Sequence, residues 1–311
     1  MRVVFFGTPE FAVPPLEALL GEGFDVVAAV TQPDKPQGRS RSTAVPPPVK
    51  LAAEAEGVPV LQPERPSDPD FVAQVRALAP DVGVVVAYGH ILKPDLLAVP
   101  PRGMINVHPS LLPELRGAAP VEWAILNGLE KTGVTIMLMD SGLDSGPILH
   151  QIPHYIDPEV TGGELSEHLS EMGAQALVEA LALLETDGLR PRPQDHARAT
   201  YAPKLTRAAA RIDWIEPAAR VARVIRGLDP RPGAWTELDG REVKLFGVRV
   251  LDESGPPLPL PGEVRTTGDR LRIATGQGAV EVEAVQPAGK SRMAAPDWVR
   301  GRGVQAGQRF T

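Results

Sequence analysis

The chain has 311 residues, of which 43% are hydrophobic and 23% are charged, with a formal net charge of −7 and no cysteine. This composition is typical of a globular protein, and the length favours two domains because single hydrophobic cores stop growing near roughly 250–300 residues. The lack of cysteine excludes disulfide bonds and thiolate metal sites, and no apolar segment reaches the roughly 20 residues that a membrane-spanning helix needs, so we expect a cytoplasmic protein without membrane contact.

The first 188 residues alternate between predicted strands and predicted helices. Strands are predicted for residues 2–6, 25–30, 81–87, 104–107 and 133–139, and helices for residues 9–20, 49–56, 71–78, 120–127 and 163–186. The fully apolar run at residues 81–87 is typical of a strand that is buried on both faces of a parallel sheet. We therefore predict an α/β domain with a doubly wound, mostly parallel, Rossmann-like sheet over residues 1–188, with its ligand at the carboxyl ends of the strands.

The sequence pattern changes after Leu189. Residues 189–205 hold three prolines and no clear periodicity, which predicts a linker. Beyond it, a helix is predicted for residues 217–227 and short strands for residues 234–238, 243–251, 262–266, 270–274 and 279–284. Short strands at this spacing predict a small OB-like β-barrel over residues 206–311.

The two halves differ in charge. Residues 1–188 contain 11 basic and 25 acidic side chains, a net charge of −14, whereas residues 189–311 contain 21 basic and 14 acidic side chains, a net charge of +7. A basic domain attached to an acidic one favours binding of a polyanion by the basic half, although charge also varies between domains without functional reason.

The turn after the first strand argues against a nucleotide cofactor. A dinucleotide-binding fold would carry the pattern G-x-G-x-x-G there, but this chain has Gly7-Thr8-Pro9-Glu10, and Pro9 lacks the amide that would face a phosphate. No phosphate-binding P-loop motif occurs elsewhere. We expect a reaction that needs no nucleotide cofactor.

Asn106 and His108 are the first candidates for chemistry. Alternation along a strand places both side chains on one face, and Pro109 ends that strand, so both lie at its carboxyl end. An amide can donate a hydrogen bond to a developing oxyanion, and an imidazole can exchange a proton near neutral pH. The pair predicts acyl-transfer chemistry, the alternative being two polar residues that merely end a strand.

A carboxylate beside His108 would fix the tautomer of its ring. The segment Asp140-Ser141-Gly142-Leu143-Asp144-Ser145-Gly146 offers two, and its spacing leaves Asp140 and Asp144 as equal candidates. Because this segment follows the predicted strand at residues 133–139, we expect it to reach the same edge of the sheet as His108. The remaining histidines lack metal-ligand spacing, so we predict no metal site.

A long loop is predicted for residues 32–48. It carries Lys35, Arg39 and Arg41 within an otherwise acidic domain. Loops of this length in compact domains are usually functional or disordered. Its basic side chains could contact a nucleic-acid backbone; the alternative is a solvated loop that binds nothing.

Several stretches resemble the folate-dependent formyltransferase family. They are VFFGTPEFAVPP from Val4, TQPDKP from Thr31, NVHPSLLP from Asn106, RGAAP from Arg116, GLDSG from Gly142 and KLTRAAARIDW from Lys204. NVHPSLLP followed by GLDSG is specific for the formyltransferase fold. RGAAP and ARIDW narrow the resemblance to members that act on a tRNA.

The resemblance implies that Asn106, His108 and Asp144 are catalytic, which favours Asp144 over Asp140. It further implies that the stretch Ser110-Leu111-Leu112-Pro113 lines a folate site. The loop that carries Lys35, Arg39 and Arg41 would enter the acceptor stem of the tRNA. The family's cosubstrate is 10-formyltetrahydrofolate, and the implied product is formylated methionyl-initiator tRNA. Separately from the resemblance, we expect a monomer.

Two alternatives remain. One is a formyltransferase for a small amine, such as glycinamide ribonucleotide or an amino sugar nucleotide, which would share the same three catalytic residues. The other is an RNA-binding protein on a degenerate catalytic scaffold. The basic second half argues against the first, and the intact catalytic residues argue against the second.

Overall fold

The computed structural model describes residues 1–37, 43–186, 188–251 and 260–311. The helices are α1 (Val13–Gly21), α2 (Pro48–Ala55), α3 (Pro69–Ala77), α4 (Pro94–Leu97), α5 (Pro120–Leu126), α6 (Gly162–Glu185), α7 (Ala218–Gly227) and α8 (Ala295–Arg300). The strands are β1 (Arg2–Gly7), β2 (Asp25–Val30), β3 (Lys35–Gln37), β4 (Thr43–Val45), β5 (Val60–Leu61), β6 (Val82–Val86), β7 (Met104–His108), β8 (Arg116–Gly117), β9 (Lys131–Leu138), β10 (Ile148–Tyr155), β11 (Tyr201–Ala202), β12 (Ala234–Leu238), β13 (Arg241–Leu251), β14 (Val264–Thr267), β15 (Arg270–Ala274), β16 (Ala279–Pro287) and β17 (Met293–Ala294).

The chain forms two compact units, each built from several segments. Unit 1 comprises Met1–Gly117, Lys131–Tyr155 and Ser166–Ala202, and unit 2 comprises Ala118–Glu130, Ile156–Leu165 and Pro203–Thr311. The division therefore differs from the predicted boundary at residue 188, because α5 and the start of α6 group with the second unit.

Proline marks where many of the helices begin. Six helices (α1–α5 and α8) carry proline in their first turn. Proline suits this position because its fixed φ is already helical and the first-turn amides have no partner within the helix. In these six helices, proline thus marks the N-terminal boundary.

Unit 1 is built on a seven-stranded sheet in the order β10-β9-β7-β6-β1-β2-β5. Strands β7, β6, β1, β2 and β5 are parallel, β9 is antiparallel to β7, and β10 is antiparallel to β9. Strand β6 is buried along its whole length, as its apolar sequence predicts. The predicted doubly wound, mostly parallel sheet is confirmed. The antiparallel direction of β9 matters for the site described below.

Unit 2 contains an antiparallel sheet in the order β12-β13-β16-β15-β14, with β17 paired to β16. The C-terminal segment closes this sheet. Thr311 exchanges backbone hydrogen bonds with Glu237 of β12, at 3.0 and 3.1 Å, and the Val264 amide of β14 donates to the Gln308 carbonyl at 2.8 Å. Because one segment pairs with both edge strands, the sheet closes into the predicted small barrel.

Residues 189–205 are not a simple linker in the structure. Up to Ala202 they belong to unit 1. Strand β11 pairs with β8, and Arg192 exchanges backbone hydrogen bonds with Ile148 at 2.8 Å in each direction. Gln194 and Ala202 are buried. The segment showed no periodicity because single residues anchor it, rather than the face of a helix or a long strand.

Several elements were not predicted. They are α4, α8, β5, β8, β10, β11, β17 and the β3–β4 hairpin. Most are too short for a periodic pattern to develop, whereas β10 was missed because His150, Gln151, Pro153 and His154 interrupt its apolar residues. No helix within the described parts of the chain is long and apolar enough to cross a membrane.

Candidate active site

Asn106 and His108 lie on one face of β7, as alternation predicts. His108 ends the strand and is buried, with 4% of its surface exposed, whereas Asn106 is half-buried. Within the residues that the structure describes, the Asn106 side chain has no hydrogen-bond partner. Its amide is therefore available to a ligand, beside a histidine that the protein holds in place.

The two ring nitrogens of His108 have different surroundings. Nε2 lies 3.0 Å from the carbonyl oxygen of Leu115, and Nδ1 lies 3.9 Å from Oδ2 of Asp144. A carbonyl oxygen only accepts hydrogen bonds, so Nε2 carries the proton and donates it. Nδ1 is then the nitrogen that can take up or release a proton during a reaction, and it faces the carboxylate.

The structure brings Asp144, and not Asp140, to His108. Oδ2 of Asp144 also accepts the backbone amide of Gly117 at 2.8 Å, which fixes the carboxylate. The carboxylate of Asp140 is used within its own turn, where it accepts hydrogen bonds from Ser145 Oγ at 2.8 Å and from the Gly142 amide at 2.9 Å. The sequence spacing left these two residues equivalent, and their hydrogen bonds separate them.

Glycine is required at position 117 for this arrangement. Gly117 has φ +121°, and a Cβ atom there would lie 2.6 Å from the carbonyl oxygen of Ala202. Any larger residue would push β8 away from β11 and carry the Gly117 amide away from Asp144.

The route by which Asp144 reaches His108 differs from the prediction. We expected the strand before Asp140 to end at the same edge of the sheet as β7. That expectation was wrong, because β9 runs antiparallel to β7: Leu138 at the end of β9 pairs with Ile105, whereas His108 pairs with Thr135. Residues 139–147 must therefore fold back toward the end of β7. Hydrogen bonds to this loop, and not strand direction, place Asp144.

The stretch Ser110–Pro113, expected to line a folate site, is partly used by the fold itself. Ser110 is buried, and its hydroxyl donates to the Glu114 carbonyl at 2.6 Å. Leu112 is buried and packs with Met137 and Ile148. Leu111 and Pro113 are half-buried. The side chains of Ser110 and Leu112 thus shape the loop, while Leu111 and Pro113 remain partly exposed.

Thr135 supports this stretch and was not singled out from the sequence. Its hydroxyl donates to the Ser110 carbonyl at 2.6 Å and accepts from the Leu112 amide at 3.1 Å. Gln151 Nε2 also donates to this hydroxyl, at 2.9 Å. The available signal was a hydroxyl side chain within the otherwise apolar run at residues 133–139, since buried polar groups are usually hydrogen-bonded.

The base of the basic loop is fixed by a polar cluster. Lys50 Nζ donates to both carboxylate oxygens of Asp34, at 2.9 and 3.0 Å, and to Gln62 Oε1 at 3.0 Å. The hydrogen bonds from Lys50 and Gln62 lower the pKa of Asp34 below its usual range. Lys35 Nζ donates to Gln32 Oε1 nearby. Arg39 and Arg41, the other two predicted RNA contacts, lie outside the described residues.

The carboxyl ends of three parallel strands are tied together beside this cluster. The Tyr88 carbonyl after β6 accepts from Thr8 Oγ1, which follows β1, at 3.1 Å, and from Gln32 Nε2, which follows β2, at 3.0 Å. Burial raises the pKa of the Tyr88 phenol to about 12, so its side chain stays neutral at physiological pH. This edge is where a doubly wound sheet binds its ligand.

In the described parts of the chain, no group of three or more His, Asp or Glu side chains could hold a metal ion.

Known protein families match both halves of this chain. The Formyl transferase family matches residues 1–181, and the Formyl transferase C-terminal domain family matches residues 204–303. A methionyl-tRNA formyltransferase of Roseiflexus sp. (strain RS-1) is 49% identical over 311 residues, which cover 100% of this chain and 95% of the relative. A methionyl-tRNA formyltransferase of Magnetococcus marinus is 46% identical over 310 residues, which cover 99% of this chain and 98% of the relative.

Solved structures share the fold at lower sequence identity. HypX from Aquifex aeolicus, in complex with tetrahydrofolic acid, superposes with a TM-score of 0.69 at 19% identity over 98% of this chain. This chain spans about half the length of HypX, 48% of it. WlaRD, a sugar 3N-formyl transferase, superposes with a TM-score of 0.68 at 16% identity, over 94% of this chain and 99% of that one.

The two domain families together span most of the chain, and the relatives at 43–49% identity extend over 99–100% of it. These relatives therefore match the sequence of both units, and not that of the α/β unit alone. The chain belongs to the formyl transferase family, among the methionyl-tRNA formyltransferases.

Proposed function

We propose that this protein transfers the formyl group of 10-formyltetrahydrofolate to the α-amino group of methionyl-initiator tRNA. The observation that carries the proposal is the full-length sequence identity to methionyl-tRNA formyltransferases, which is 49% for the relative from Roseiflexus sp. (strain RS-1). The geometry supports it, since an open amide, a buried histidine and a carboxylate meet at the end of β7.

The reaction needs no activation by a nucleotide, because the folate brings an activated acyl group. The amine nitrogen attacks the formyl carbon, and the carbonyl electron pair moves to oxygen, which gives a tetrahedral oxyanion. The bond between the formyl carbon and N10 of the folate then breaks as the oxyanion collapses. The amine loses one proton and N10 gains one, so the charges balance.

Asn106 and His108 act on different parts of this step. The free Asn106 amide donates a hydrogen bond to the oxyanion, where one preorganised donor is typically worth roughly 10²–10³-fold in rate. His108 is held by Leu115 through Nε2, so its Nδ1 exchanges the proton. When that nitrogen is protonated, it adds positive charge near the oxyanion. Asp144 orients the ring from the side of Nδ1.

The remaining roles divide between the loops and the second unit. The stretch Ser110–Pro113 shapes the folate site, and the loop that carries Lys35, Arg39 and Arg41 contacts the acceptor stem. The basic barrel binds the tRNA backbone through its phosphates, with little base selectivity. We further propose that the protein works in the cytoplasm, as a monomer.

The experiment that tests the proposal is a formylation assay with 10-formyltetrahydrofolate and either initiator or elongator methionyl-tRNA. We expect formyl transfer to the initiator and little or none to the elongator. Transfer to glycinamide ribonucleotide or an amino sugar nucleotide, with none to either tRNA, would instead establish a small-amine formyltransferase. Binding of tRNA without formyl transfer to any amine would indicate a non-enzymatic RNA-binding protein.

A further inference from the structure

Gln194 uses both ends of its side-chain amide on the candidate site. Its Nε2 donates to the backbone carbonyls of Asp144 at 2.9 Å and Gly146 at 2.7 Å. Its Oε1 accepts from Arg116 Nη2 at 2.6 Å and from Arg116 Nε at 3.2 Å. Gln194 is only 6% exposed. The side chain is therefore fixed, and it links the loop that carries Asp144 to strand β8.

The Asp144 backbone needs such support. Its φ is +47°, in the left-handed region that non-glycine residues seldom adopt, although aspartate does so more readily than most. The loop must also fold back from the end of β9, as described above. A hydrogen bond to the Asp144 carbonyl holds this conformation from the main-chain side, while the Gly117 amide holds the carboxylate.

Arg116 completes the link. It is 4% exposed, and none of the acidic side chains in the described parts of the chain lies within 4.0 Å of its guanidinium. Besides Gln194, its Nη2 donates to His196 Nδ1 at 3.1 Å. Arg116 and Gly117 are consecutive in β8, so one short strand carries both the residue that fixes Gln194 and the amide that fixes the Asp144 carboxylate.

We propose that Gln194 is a positioning residue for formyl transfer, acting through Asp144 on His108. The proposal rests on the proposed function, and it assigns a role in the reaction to the segment that the sequence predicts as a linker. The two Nε2 donations set where Asp144 lies relative to His108 Nδ1, while the acceptance from Arg116 only anchors Gln194. The donor and acceptor ends can therefore be tested separately.

The substitution Gln194→Glu separates the donor end of the side chain from its acceptor end. Glutamate keeps oxygen acceptors for Arg116 and adds a counter-charge for this buried cation, but it cannot donate to the carbonyls of Asp144 and Gly146. We expect kcat to fall at least tenfold, with KM for 10-formyltetrahydrofolate and for the tRNA within about threefold of wild type, since the lost interaction matters in the transition state. The exposed glutamine of α6, Gln175, gives a matched control, and Gln175→Glu should leave kcat unchanged.

A double-mutant cycle with Asp144→Asn separates positioning from general loss of structure. If Gln194 acts through Asp144, the double variant Gln194→Glu/Asp144→Asn is no slower than Asp144→Asn alone. If the two effects multiply, Gln194 does not act through Asp144 and the proposal is overturned. A kcat of Gln194→Glu within twofold of wild type, in a folded protein, overturns it as well.

The variant Val75→Ala is a control for the effect of reduced stability on kcat, because it forms a cavity at a fully buried position of α3. If Val75→Ala has a lower Tm than Gln194→Glu and keeps its kcat, loss of stability does not explain slow transfer. If wild type formylates a small amine rather than the tRNA, the proposed acceptor is wrong, and the cycle measured with that amine still decides the role of Gln194. Wild type that transfers to no amine overturns both proposals.

Discussion

Nδ1 of His108 lies 3.9 Å from Oδ2 of Asp144, while Nε2 of the same ring lies 3.0 Å from the Leu115 carbonyl. The shorter contact fixes the tautomer, and the longer one leaves Nδ1 free to exchange a proton beside a negative charge. This arrangement assigns different roles to the two nitrogens, and the role of Nδ1 depends on the Asp144 carboxylate.

Asp144→Asn should lower kcat by roughly 10²–10⁴-fold, the usual contribution of a positioned acid–base group. The amide keeps the size of the side chain but removes the negative charge beside Nδ1, so Tm should change little. The measurement is single-turnover formylation with saturating folate. Asp140→Asn, from the same loop, is the matched control and should remain within about threefold of wild type. A larger loss of kcat in Asp140→Asn than in Asp144→Asn would show that Asp140, and not Asp144, acts on His108.

Asn106→Ala should lower kcat by roughly 10²–10³-fold, the effect of removing one oxyanion donor. KM for the folate should change much less, because the donor acts mainly on charge that develops in the transition state. The chain has one other asparagine, Asn127, which is exposed after α5. Asn127→Ala should have wild-type kcat, and equal kcat in both variants would exclude the oxyanion role of Asn106.

Arg39→Ala should raise KM for the tRNA by roughly tenfold and leave KM for the folate unchanged. Loss of one phosphate contact should also reduce the slope of log binding constant against log salt concentration by about one. Filter binding at several salt concentrations measures the slope. Arg76→Ala, at an exposed position of α3, is the control. An unchanged tRNA KM in Arg39→Ala would remove this loop from RNA recognition.

The pH dependence of stability should reflect Asp34. Hydrogen bonds from Lys50 and Gln62 lower its pKa in the folded state, so the stabilisation is complete above the pKa of the unfolded chain and is lost as the pH falls through the folded value. Urea unfolding of wild type and Asp34→Asn between pH 7 and pH 2 should therefore converge at the acid end. A constant difference in unfolding free energy across that range would contradict the role of the ionised carboxylate.

Glu122, in the first turn of α5, should show the opposite behaviour. Burial raises its pKa, so folding favours the protonated form, and this contribution is lost as the pH rises through the folded value. Glu122→Gln should therefore raise Tm at pH 7, with a difference that shrinks toward pH 4. Calorimetry at several pH values measures it, and a Tm of Glu122→Gln below that of wild type at pH 7 would contradict the prediction.

Local sequence determined much of this protein. Apolar runs identified the main strands of the parallel sheet, proline and apolar spacing located most helices, and alternation along β7 placed Asn106 and His108 on one face. The short strands of the second half predicted a barrel. These features depend on residues close together in the chain, so their patterns can be read without knowing the fold.

Tertiary structure decided what depends on residues far apart in the chain. The spacing could not choose between Asp140 and Asp144, because the choice follows from hydrogen bonds that the Gly117 amide and the Gln194 side chain make to Asp144. Nor did the sequence show that Gln194, in an apparent linker, would reach Asp144. Backbone hydrogen bonds and single buried side chains carry these contacts. Such contacts leave no periodic pattern in a sequence, so only the folded chain reveals them.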